Sequence, residues 1–199
     1  MKIDCVICDL GKVLVFFDHF ISAQKISKFT SFSAQKCYDL ILPHKCVMDF
    51  GKGNISAIEF YKEVCKVLEI NTIDLNFEDF KKIWADIFTL NKQMIDFIKE
   101  YNVDKKILLS NTDEIHFEWI DKKWGISELF DEVILSYKAR YMKPEDGIFD
   151  IAMNLADCNP KKILYIDDIK EYTQAFAEYG VNCITYNADT FKIDIEKYL

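Results

Sequence analysis

Apolar residues along this chain follow two periodicities, and each marks a different kind of element. Residues 3–9, 106–110, 132–136 and 162–167 form short, nearly continuous runs of Val, Ile, Leu and Cys, with a weaker fifth run at 182–186. Such runs suit strands covered on both faces, as in a parallel sheet between two helix layers. Between the later runs the spacing is helical. Ile115, Trp119 and Ile120 fall on one face, and so do Ile148, Phe149, Ala152 and Leu155 after Pro144. Tyr172, Ala175, Phe176 and Tyr179 repeat the pattern ahead of Gly180, which is the expected C-cap. Alternation of this kind predicts right-handed βαβ units in an α/β, doubly wound parallel sheet.

The first strand breaks the rhythm. Nearly a hundred residues follow it before the next buried run, too many for a loop. Ile55, Ile58, Tyr61, Cys65 and Leu68 give one helical stripe there. Phe77, Phe80, Ile83, Trp84, Ile87 and Phe88 give a stronger one, with Asn76 at the N-cap position. These stripes read as helix-packing core. The expected organisation is a Rossmann-like core of residues 1–17 and 91–199, with a helical cap of residues 18–90 inserted after the first strand.

Composition narrows the function. The 199 residues carry 33 Asp+Glu against 25 Lys+Arg, a formal charge of −8. With basic residues scattered, this argues against a nucleic-acid footprint. No run approaches the ~20 apolar residues that span a bilayer. Asp4 and Asp9 interrupt the opening apolar stretch, which therefore does not read as a signal peptide. The seven cysteines lack the dense spacing of a disulfide scaffold and are expected to be reduced thiols in the cytoplasm. Cys5 and Cys8 spell C-x-x-C, but an odd offset on a strand sends them to opposite faces. No second pair completes a zinc site, so both read as structural.

Ligands of an open parallel sheet bind beyond the carboxyl ends of its strands, at the switch point. The expected strands end in Asp9, in Ser110-Asn111, in Ser136 ahead of Lys143-Pro144, and in Asp167-Asp168. Any one strand-end Asp is commonly a turn former or a helix cap. Together these place an acid, a hydroxyl–amide pair, a lysine and an acidic pair at one edge.

In that order the motifs resemble the haloacid dehalogenase (HAD) superfamily: Asp9 in CDLGKVLV, Ser110 in ILLSNT, Lys143 in YMKPEDGIF, and Asp167 with Asp168 in LYIDD. The D-x-G opening, SNT, MKP and IDD look most like the phosphatase branch with a helical (type C1) cap, close to sugar-phosphate phosphatases. The resemblance implies that Asp9 is a nucleophile forming an aspartyl-phosphate, which divides one difficult hydrolysis into two steps. It also implies Mg²⁺ held by Asp9, the Gly11 carbonyl and Asp168, with Asp167 binding the ion or standing behind it; hard oxygens are what Mg²⁺ requires. Lys143 would hold Asp9 and the phosphoryl oxygens, and Ser110 and Asn111 would donate to those oxygens. Ser110 could equally cap the following helix.

Gly11 departs from the pattern, because family phosphatases usually carry a second Asp there as general acid and base. Losing a positioned acid costs on the order of 10²–10⁴ in rate. Asp18 is one candidate substitute acid, with His19 and His116 as others; His116 otherwise reads as a packing or surface residue. Lys138 and Arg140 could meet an anionic substrate or simply be solvated. The expected activity is Mg²⁺-dependent hydrolysis of a small phosphorylated metabolite, such as a sugar phosphate, by a monomer or homodimer with no nucleic-acid or membrane partner. Two alternatives stay open: 2-haloacid dehalogenation, and a phosphate-binding regulatory protein with little turnover.

Overall fold

The computed structural model describes residues 2–198. In chain order the strands are β1 (Cys5–Cys8), β2 (Val15–Phe17), β3 (Phe88–Leu90), β4 (Lys105–Ser110), β5 (Glu132–Leu135), β6 (Ile163–Asp167) and β7 (Asn182–Thr185). Five of them form one sheet in the order β5-β4-β1-β6-β7, and every neighbouring pair is parallel. Ile7 on the central strand lies between Ile107 and Tyr165. Connections from β1 run to β4 and β5 on one side, then cross to β6 and β7 on the other, so the switch point falls at the end of β1.

Both faces of the sheet are covered, which explains why the strand runs do not alternate. Helices α1 (His19–Ile26), α2 (Ala34–Ile41), α3 (Lys45–Gly51), α4 (Ala57–Val67) and α5 (Phe77–Ala85) precede β3. After it come α6 (Lys92–Glu100), α7 (Glu114–Trp124), α8 (Ser136–Ala139), α9 (Asp146–Ala156), α10 (Lys170–Ala177) and α11 (Phe191–Ile195). One face packs Val6, Cys8, Leu108 and Ile166 against α6, α7 and α11. The opposite face packs Cys5, Ile7, Leu109 and Tyr165 against Ile148, Phe149 and Ala152 of α9 and Phe176 of α10. Cys5 and Cys8 thus enter separate cores. Burial pushes the Cys5 thiol up to about 12 and Cys8 well above its usual value.

Helices α1 to α5 share an apolar core of their own, built on Phe50, Phe60, Phe80 and Trp84, with Ile115 of α7 joining it. Phe50 and Phe60 stack at 4.6 Å, and Trp84 meets Phe60 edge-on at 4.9 Å. Sequence periodicity did not show β2 and β3. They pair antiparallel, Val15 opposite Leu90 and Phe17 opposite Phe88, so the chain leaves and rejoins the sheet side by side. Three residues are too few to show a period of two. Within α4 the buried face is Phe60, Tyr61, Val64 and Cys65, whereas Ile58 is exposed. Asn76 caps α5, accepting from Asp79 N–H. Gly180 does not cap α10, which ends at Ala177; it adopts φ 83° in the turn beyond. None of these helices is long and apolar enough to cross a membrane.

Candidate active site

Asp9 follows β1 directly, and Asp167 ends the adjacent β6, so parallel register alone brings their carboxylates side by side. Both are buried. Lys143, on the loop between α8 and α9, reaches between them. Its Nζ lies 2.6 Å from Asp9 Oδ1, 2.6 Å from Asp167 Oδ2 and 3.1 Å from the Leu109 carbonyl. Burial alone would lower the ammonium's pKa. The two carboxylates outweigh it and raise Lys143 to about 12.

Asn111 fixes that lysine. Its side-chain carbonyl accepts from Lys143 N–H at 2.8 Å, and its amide donates to the Lys143 carbonyl at 2.9 Å. The Asn111 side chain therefore holds the backbone of Lys143 rather than standing free for phosphate. Asp167 accepts hydrogen bonds at both oxygens. Oδ2 accepts from Lys143 and from the Tyr165 hydroxyl, and Oδ1 accepts from Ile169 N–H at 2.8 Å.

Asp168 is half-buried beside this pair, and the carboxylate oxygens of Asp9, Asp167 and Asp168 all lie within 4.8 Å of one another. Such crowding raises carboxyl pKa values. Burial and the Asp167 charge lift Asp9 to about 7 against the opposing pull of Lys143, and burial with Asp167 lifts Asp168. A divalent cation would relieve that repulsion, and an all-oxygen donor set is what Mg²⁺ takes. The residues therefore fit the ion. Asp9, Asp167 and Asp168 each offer it a carboxylate oxygen.

A cavity of about 160 Å³ lies among Leu10 and Gly11, the segment 110–113 and helices α1, α3 and α5. Gly11, Phe17, His19, Trp84, Phe88, Ser110 and Met142 are among its lining residues. At its back Asp113 caps α7, accepting from His116 N–H at 2.9 Å and from Trp84 Nε1 at 3.2 Å. His116 Nδ1 lies 2.8 Å from Asp113, and its Nε2 lies 3.0 Å from the Trp84 carbonyl. Burial raises the Asp113 pKa, but the His116 charge and the hydrogen bonds outweigh it and hold the group below its usual value.

No family model matches the chain. A protein of Schizosaccharomyces pombe, carried under the name of an uncharacterized hydrolase, is 30% identical over 99 residues. That match takes in 44% of this chain and 43% of the relative, so less than half of the relative's length is matched. Among solved structures, a HAD family enzyme of Bacteroides thetaiotaomicron, in complex with magnesium and inorganic phosphate, superposes with a TM-score of 0.79 at 24% identity. It covers 94% of this chain and 96% of its own. The chain has the HAD fold. A predicted HAD-like family hydrolase of Porphyromonas gingivalis shares that fold at TM-score 0.83 and 18% identity, over 99% of this chain and 98% of its own. L-2-haloacid dehalogenase of Xanthobacter autotrophicus shares it at TM-score 0.63 and 15% identity, over 92% of this chain and 76% of its own.

On this HAD fold the structure brings Asp9, Lys143, Asp167 and Asp168 into one cluster, with Ser110 and Asn111 lining the cavity alongside. Ser110 is not a helix cap, because Asp113 fills that position. Asp18 lies outside the cavity lining. It is exposed and N-caps α1, accepting from Phe20 N–H at 2.8 Å. Its neighbour His19 lines the cavity instead. Lys138 and Arg140 are exposed and also lie outside it. Sequence reasoning missed Tyr165, Trp84 and Asp113. For Tyr165 a signal existed, since an offset of two on a strand puts its side chain on the face of Asp167. For Asp113 the signal was its place three residues ahead of His116, a capping distance.

Proposed function

We propose that the protein is a Mg²⁺-dependent phosphatase acting on a small phosphorylated metabolite through Asp9. The observation that carries this reading is the buried Lys143 ammonium bridging Asp9 and Asp167 where a third carboxylate, Asp168, converges. The Lys143 ammonium favours the ionised form of Asp9, and Asp9 stands at the carboxyl end of β1, where ligands of a parallel sheet bind. Asp9 attacks phosphorus, the bond to the leaving oxygen breaks, and water later releases phosphate from the aspartyl-phosphate. Lys143 faces the charge that develops on the transferring oxygens, and the Ser110 hydroxyl lines their path. Mg²⁺, when bound by Asp9, Asp168 and the Gly11 carbonyl, supplies the positive charge that lets two anions meet. Helices α1 to α5 act as the cap, excluding water and contacting the organic part of the substrate.

Phosphate release from a panel of phosphorylated metabolites, with Mg²⁺ and with EDTA, tests the reading. The expected result is release that needs the ion. Halide release from 2-haloacids without metal would favour the dehalogenase alternative. Saturable phosphate or Mg²⁺ binding with no turnover on any substrate would favour the regulatory one.

A further inference from the structure

Lys143 owes its place to the turn that carries it, and two side chains clamp that turn. Asn111 is one, bonded to both the N–H and the carbonyl of Lys143. Glu145 is the other. Its N–H donates to the Met142 carbonyl at 2.7 Å, and its Oε2 accepts from the Met142 N–H at 2.9 Å, which closes residues 142–145 into a ring. Oε1 of the same carboxylate pairs with the ammonium of Lys52, the residue after α3, 93 positions away in sequence. Lys52 first, and then the Met142 N–H, hold the Glu145 carboxyl below its usual value.

The end of α3 meets the same stretch of chain at two further points. The buried Ser136 hydroxyl, at the start of α8, donates to the Gly51 carbonyl at 2.6 Å. Gly53, at φ 67°, approaches Tyr137 so closely that a Cβ on it would collide with the Tyr137 carbonyl. Gly51 and Gly53 therefore dock on α8, and Lys52 extends that docking to the turn of Lys143. The side chains of Lys52 and Glu145 remain 24% and 41% exposed, so their pairing adds little to overall stability. What the pairing does fix is the direction of the Glu145 carboxylate, and with it the acceptor for the peptide N–H just ahead of Lys143.

We propose that Lys52 is a positioning residue for this site: through Glu145 it fixes the turn that holds the Lys143 ammonium between Asp9 and Asp167. Its effect on rate rests on the phosphatase reading, and it deepens that reading by giving helix α3 a hold on the ammonium beside the nucleophile. Without the Lys52 charge, the Glu145 carboxylate turns toward water and the Met142 N–H loses its acceptor. Lys143 is then held by Asn111 alone at its backbone, while its Nζ must still meet Asp9, Asp167 and the Leu109 carbonyl together. Misplacing a positioned group by about 1 Å can cost on the order of 10²-fold in rate.

The test compares the parent with Lys52→Met, Lys52→Arg, Glu145→Gln and the double variant of Lys52→Met with Glu145→Gln. It reads kcat and KM for p-nitrophenyl phosphate with Mg²⁺, the urea midpoint, and hydrogen exchange at the Met142 and Lys143 amides. Lys52→Met is expected to lower kcat about tenfold or more while KM stays within about twofold. Its urea midpoint should stay near the parent's, and both amides should exchange faster. Lys52→Arg keeps the cation and should recover most of the rate. The double variant should lose no more than Glu145→Gln alone, because the two residues act as one unit. A kcat for Lys52→Met within about twofold of the parent would overturn the proposal and leave the phosphatase reading intact. So would a loss that Lys52→Arg does not recover and that follows a fallen urea midpoint, which marks a merely structural tether. If the parent releases no phosphate, the phosphatase reading falls and the exchange rates decide alone. Faster exchange in Lys52→Met then supports the positioning role, and unchanged exchange overturns it.

Discussion

Lys143 places one positive charge between two buried carboxylates, and most of the site's behaviour follows from that single ammonium. Replacing it, as in Lys143→Met, leaves Asp9 and Asp167 facing one another without compensation. Removing one partner of a buried ion pair costs about 3–5 kcal/mol. The urea midpoint should therefore fall, and phosphate release should drop at least ~10²-fold. Unchanged stability would contradict the geometry. Tyr165 lies behind the same acids, its hydroxyl donating to Asp167 from within the sheet's apolar layer. Tyr165→Phe removes a hydrogen bond to a charged acceptor and should lower stability by about 1.5–3 kcal/mol, measured by urea unfolding. At this scale the motif acids were legible in the sequence because strand ends mark them, and Lys143 because of its motif ahead of Pro144. The Asn111 clamp was not, because it joins residues 32 apart through backbone groups that no motif encodes.

Between elements, Asp113, His116 and Trp84 tie α7 to α5, with Ile115 packed into the apolar core of α1 to α5. The Asp113 carboxyl is held below its usual value, so the folded state releases this proton more readily than the unfolded chain. Its stabilisation is complete above the unfolded value near 4 and is lost as pH falls through the lower folded value. Asp113→Asn should be less stable than the parent by about 3–5 kcal/mol at pH 7, with the two converging in acid. Urea midpoints taken from pH 7 downward test this, and a pH-independent gap would contradict it. The strands and main helices could be read from periodicity because burial on two faces or one stripe dictates composition. The β2–β3 ribbon could not, because its three-residue strands owe their pairing to where the insertion begins and ends. The Ile58 assignment failed because a stripe at helical spacing can be drawn through more than one phase of α4.

Across the whole molecule, three apolar cores divide the work. Two hold the sheet, and the third joins helices α1 to α5 with Ile115 of α7. An ion that binds only where the folded sheet assembles its acids must stabilise the whole chain. At 100 times its Kd, Mg²⁺ should add about 2.7 kcal/mol. At this chain length that corresponds to roughly 5–10 °C in Tm. EDTA should reverse the shift, and Asp168→Asn should flatten it. No response to Mg²⁺ in the thermal melt would remove the ion from the account.

The most direct measurement follows phosphate release by the parent and by Asp9→Asn, side by side, at saturating Mg²⁺ with an aryl phosphate. Asparagine keeps the shape and removes the attacking charge. The account predicts a loss of at least ~10⁴-fold, as expected when a covalent nucleophile is removed. Release by Asp9→Asn within about tenfold of the parent would show that another group attacks phosphorus, and the mechanism built on Asp9 would be wrong.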